Sequence, residues 1–63
     1  MTQKELLYVE DAIMHEKTIL DICNDLLTHI DDENITDFIN GEINNHETIR
    51  ENLLNILEAK QNG

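Results

Sequence analysis

The sequence predicts an all-α protein: an antiparallel two-helix hairpin that pairs with a second copy to make a four-helix bundle. Three observations carry this. Proline is absent and glycine occurs only at Gly41 and Gly63, so strong helix breakers are few. Two long stretches carry apolar residues at alternating steps of three and four, the period of a helix buried along one side. Between them, Asp31-Asp32-Glu33-Asn34 interrupts the apolar pattern and supplies capping side chains.

The first helix begins near Gln3, because Thr2 followed by Glu5 is a capping-box pattern. Leu6, Val9, Ile13, Glu16, Leu20, Cys23, Leu27 and Ile30 then advance as a coiled-coil seam, so the helix is expected over about 3–30. Ala12, His15, Ile19, Ile22 and Leu26 form a second stripe beside it. At about 100° per residue the two stripes cover an arc of roughly 140°, which fits a helix with two neighbours. The turn is expected at 31–34.

The second helix is expected over about 34–60, with Glu33 at its threshold and Gln61-Asn62-Gly63 fraying. Its seam reads Ile35, Ile39, Glu42, His46, Ile49, Leu53 and Ile56, flanked by Phe38 and Asn45 on one side and by Ile43 and Leu57 on the other. A lone hairpin would leave half of each arc wet, whereas two hairpins cover both. The expectation is one domain, 1–63, acting as a homodimer.

Composition narrows function by exclusion. Fourteen acidic against four basic residues give a net charge of −10, so neither nucleic acid nor an anionic membrane is an expected partner, since both require a basic face. No apolar run approaches the roughly 18 residues of a membrane span. The amino terminus lacks a basic segment followed by an apolar one, and with a single cysteine, Cys23, no internal disulfide forms. A cytoplasmic protein is the expectation. A chain this short builds a thin core and needs a disulfide, a metal or a partner to support it.

Glu16, Glu42 and His46 stand out because each occupies a seam position where Leu or Ile is due. Folding at Asp31-Asp32 brings residue 16 level with the turn from Glu42 to His46. In a dimer with its two-fold axis near this level, four carboxylates and two imidazoles meet between apolar layers. Unpaired carboxylates there cost several kcal/mol each. Two divalent cations would neutralise four carboxylates, and carboxylate with imidazole suits Fe or Mn ahead of Zn. Di-iron and di-manganese bundles use Glu with Glu-x-x-His. Here Glu42 and His46 are four apart, an offset that a π-bulge beside Gly41 would absorb. The competing reading is a metal-free polar layer in which Glu16 pairs with protonated His46 and Glu42 reaches Lys17 or Arg50, fixing register and dimer orientation. His15 and Asn45 are the candidates for orienting metal ligands from behind.

The remaining polar and aromatic residues read as structural. His29 sits near the carboxyl end of the first helix, where positive charge is favourable. Cys23 reads as a small buried hydrophobe, and Tyr8 and Phe38 as packing on the core flanks. There is no serine, hence no serine triad, and no glycine-rich phosphate loop. No catalytic residue is identified, and whether the chain is an enzyme stays open.

Leu6-Leu7-Tyr8-Val9-Glu10-Asp11-Ala12, then His15-Glu16, and the frame Phe38-Ile39 with Glu42-Ile43 and His46 resemble small spore coat protein F-like proteins of clostridia and bacilli. That group resembles a branch of the ferritin-like four-helix folds. The resemblance implies a spore-associated or metal-binding role, and assembly with other coat proteins. Spo-zero-E-type sporulation regulators are also two-helix hairpins, but their Ser-Gln-Glu-Leu-Asp motif is absent.

Overall fold

The computed structural model describes residues 1–62. Helix α1 spans Gln3–Leu27 and helix α2 spans Glu33–Asn62, and the two pack against each other as an antiparallel hairpin. The result is a flat rod, 46 × 15 × 12 Å across its Cα atoms. No helix among the described residues is long and apolar enough to cross a membrane. The expected fraying bears on Gln61, Asn62 and Gly63; Gly63 and the side chains of the other two lie outside the described residues.

The capping box forms as expected. The Thr2 backbone N–H donates to Glu5 Oε1 (2.7 Å), and the Glu5 N–H donates to Thr2 Oγ1 (3.1 Å), so two otherwise unpaired groups at the helix start satisfy each other. Helix α1 ends three residues earlier than the apolar period suggests. In a continuing helix the Asp25 carbonyl would accept from the His29 N–H. Instead it accepts from the Thr28 N–H (3.1 Å) and the Thr28 hydroxyl (2.7 Å), and His29 Nδ1 lies 2.9 Å from it. The His29 N–H turns to the Leu26 carbonyl (3.0 Å). Side chains near the terminus thus compete for the carbonyl that the next turn needs. Helix α2 starts on Asp32, whose Oδ1 accepts from the Ile35 N–H (3.0 Å), the N-cap arrangement that leaves a carboxylate at the positive end of the helix.

The α1 seam lies where the spacing puts it, with Leu6, Val9, Ile13, Glu16, Leu20, Cys23 and Leu27 all half-buried against α2. The α2 seam is rotated from the expected one. It runs through Ile39, Ile43, His46, Arg50, Leu53 and Leu57, so Ile43 and Leu57 move from flank to seam. Ile35, Ile49 and Ile56 move out and are between 42% and 47% exposed. The reason is that α2 carries two overlapping stripes of the same period, and one neighbouring helix covers only one of them.

What remains open is one broad face of the rod. About 100° per residue places Tyr8, Ile22 and Leu26 to one side of the α1 seam. It places Ile35, Phe38, Ile49 and Ile56 to the same rotational side of the α2 seam. In an antiparallel pair, the same rotational side on both helices is the same face. Phe38 on this face is 68% exposed and Tyr8 61%, so neither aromatic packs within the hairpin as the sequence led us to expect; the Lys4 ammonium lies 6.0 Å from the Tyr8 ring centroid. The opposite face carries the acids Glu10, Asp21, Asp37, Glu47, Glu51 and Glu58, the exposed Leu7, and a shallow groove in which Glu10 and Met14 of α1 meet Leu54 of α2. Among the described residues only Ile39 is buried, and even it keeps 6% of its surface exposed.

Candidate functional site

Glu16, Glu42 and His46 come together near the middle of both helices. The i, i+4 spacing sets Glu42 and His46 on one side of α2, and the hairpin register brings Glu16 across from them. His46 Nδ1 lies 2.5 Å from Glu16 Oε2, and His46 Nε2 lies 3.6 Å from Glu42 Oε2. The imidazole therefore stands between the two carboxylates, one at each ring nitrogen. The first contact is a short hydrogen bond; the second is an ion-pair distance, too long for a direct hydrogen bond.

Burial is graded across the cluster. The Glu16 side chain is 15% exposed and that of His46 is 23%, whereas that of Glu42 is 40% exposed. By helix position Glu42 lies on the side of α2 that carries Phe38 and Ile49. Helix α2 stays regularly α-helical through this stretch, so no π-bulge absorbs the four-residue spacing. Gly41 faces open space, with nothing within 4 Å of where a Cβ would sit.

The neighbours differ from the expected ones. Lys17 pairs with Asp21 at 3.2 Å, one turn along its own helix, rather than with Glu42. Arg50 lies in the seam one turn beyond His46 rather than at the bundle edge, and its buried Nε has no hydrogen-bond partner among the described residues. Sequence reasoning missed this placement. The signal was present, because Arg50 follows His46 by four and precedes Leu53 by three, in step with Ile39 and Ile43. His15 and Asn45 are exposed and are held by no hydrogen bond to the cluster among the described residues. Cys23 is half-buried in the α1 seam, as a small hydrophobe would be. His29 caps the end of α1, with Nδ1 also 2.9 Å from Thr28 Oγ1.

When each ring nitrogen carries a hydrogen, the imidazole donates to Glu16 and faces Glu42 as a positive charge at 3.6 Å. As a metal site the arrangement is different: the donor chemistry suits Fe, Mn or Zn, but the two carboxylates sit against opposite nitrogens and do not converge with the ring on one point. No group of three or more His, Cys, Asp or Glu among the described residues is gathered closely enough in one hairpin to hold an ion. A scan against protein-family models, a search of curated proteins and a search of solved structures each find no match for this chain.

Proposed function

We propose that this chain is a self-associating structural module. Two hairpins lay their apolar faces together to form a ferritin-like four-helix bundle, and the Glu16–His46–Glu42 cluster becomes a polar layer that holds the register. The observation that carries this reading is the division of the hairpin into an apolar face and an acidic one. An exposed apolar face of this extent marks an interaction surface. Its outline, 46 by 15 Å, is on the order of the ~800 Å² per partner found in stable interfaces. A second copy is the economical occupant, because a hairpin whose described residues include one buried side chain and none fully buried has little core of its own. The acidic faces then point outward, where repulsion opposes further stacking.

In this reading the polar layer works by geometry. Glu42, half-exposed in the single hairpin, is enclosed when the faces meet, and its cost is lowest when an imidazole stands beside it. Sliding the two copies by one helical turn would set carboxylates against Ile side chains instead. Sedimentation equilibrium tests the proposal: the wild-type chain runs at twice its 7.3 kDa mass at micromolar concentration, and Phe38→Glu with Ile49→Glu runs as a monomer. A well-folded wild-type monomer at that concentration rejects it.

A second reading is favoured by the position of Glu42 on that face. Two copies would bring four carboxylates and two imidazoles to one level, a donor set for two divalent cations such as Fe²⁺ or Mn²⁺. Bound there, the metals would supply charge neutralisation and, with an open coordination position, Lewis-acid or redox chemistry. Glu16, Glu42 and His46 of both chains would hold them, with His46 rotated away from its present place between the acids.

A further inference from the structure

The hairpin is unevenly charged along its length. Residues 21–37, the connection and the helix turns on either side of it, carry Asp21, Asp25, Asp31, Asp32, Glu33 and Asp37 and no lysine or arginine, and all six acids are exposed. The other end carries Lys4 and Lys60 beside Glu5 and Glu58, all exposed, so its charges nearly balance; Lys60 lines a shallow groove with Met1, Thr2, Gln3 and Leu6. Two ways of joining the apolar faces by a two-fold axis follow. An axis along the rod sets both connections at one end and crowds twelve acids together. An axis perpendicular to the rod sets each connection against the partner's chain ends.

We infer that the second copy docks antiparallel, with the two-fold axis crossing the rod at the level of Glu16 and His46, so that each acidic connection lies beside the partner's Lys4 and Lys60. This rests on the self-association reading above and adds the direction of the partner. The register supports it. Glu16 and His46 lie near the midpoints of their helices. A perpendicular axis at that level carries the partner's Lys60 to Asp31 and Asp32, and the partner's Lys4 to the end of α1. Glu16 and His46 of one copy then lie level with those of the other, with the two Glu42 about one turn to either side, and the apolar faces overlap along their full length. Like charges placed together are costly and opposite charges steer the docking.

A distance measurement decides the matter. With Cys23→Ser as background, a nitroxide at Asn34→Cys marks the connection, and pulsed dipolar electron spin resonance reads the separation between the two copies. Asn34 and His46 are twelve residues apart, so the antiparallel dimer gives a backbone separation of about 35–40 Å. A dimer with a separation below about 20 Å, the span of helices packed side by side, overturns the inference and leaves self-association standing. A labelled chain and a wild-type chain that both sediment as monomers overturn both. As a second readout, Lys4→Glu with Lys60→Glu weakens the dimer by about three- to tenfold at low salt, an effect lost at high salt. Unchanged or tighter association at low salt counts against the antiparallel arrangement.

Discussion

His46 Nδ1 lies 2.5 Å from Glu16 Oε2, and the two residues are thirty positions apart in the chain. This hydrogen bond joins the helices at their midpoints, flanked on either side by half-buried aliphatic side chains. Removing one partner leaves the other desolvated and unpaired. His46→Ala is therefore expected to destabilise the fold by about 1–3 kcal/mol. Replacing both, Glu16→Leu with His46→Leu, recovers the loss or exceeds the wild type, because an apolar pair incurs no desolvation penalty. Urea denaturation at a fixed protein concentration measures both. A double variant as unstable as His46→Ala would show that the pair contributes more than its own burial cost.

Gly41 is a mid-helix glycine with open space around its missing side chain, and nothing in the backbone requires it, since no positive φ occurs among the described residues. Gly41→Ala should stabilise the hairpin by about 0.5–1 kcal/mol, through the lower entropy of the unfolded chain. Thermal unfolding checks this. A loss of stability would mean that a second copy approaches the α2 backbone closely at Gly41.

The start of α1 should respond to acid. The Thr2 backbone N–H, and after it the Thr2 hydroxyl, hold the Glu5 carboxyl below its ordinary value. A carboxyl lowered in the folded state stabilises that state above its unfolded value of 4.5, and the contribution disappears as the pH falls through the lowered folded value. The protection of first-turn amides in α1, taken relative to their intrinsic exchange at each pH, should fall below about pH 4, and Glu5→Gln should remove that dependence. Protection that is flat with pH would show that the capping box contributes nothing in solution.

Metal addition separates the two readings of the central layer. If the layer takes divalent ions, elemental analysis finds close to one Fe or Mn per chain, and excess Mn²⁺ raises stability by several kcal/mol through linkage. Glu42→Ala would abolish that gain while leaving the metal-free bundle as stable as before or more so, since a desolvated carboxylate is gone. No bound metal and no thermal shift with Fe²⁺ or Mn²⁺ leave the structural reading alone.

Much of this was open to inspection in the sequence because it depends on near neighbours. Thr2 and Glu5 are three residues apart, Asp32 and Ile35 likewise, and caps of this kind form whatever the rest of the chain does. The convergence of Glu16, Glu42 and His46 was also legible, since it follows from two helix periods and one turn. The early end of α1 was not, because the side chains of Thr28 and His29 decide it by taking a carbonyl that an apolar count does not register.

Local spacing thus made this chain a pair of amphipathic helices with a polar break at their centres. It could not choose which of two equivalent stripes on α2 would meet α1, because a period of about 3.6 residues draws both equally well. Packing made that choice: Ile39, Ile43 and Leu53 interlock with the α1 seam, drawing Arg50 in and turning Ile35, Phe38 and Ile49 out. The open apolar face is the consequence, since a helix with a wide apolar arc and one neighbour must leave part of that arc uncovered.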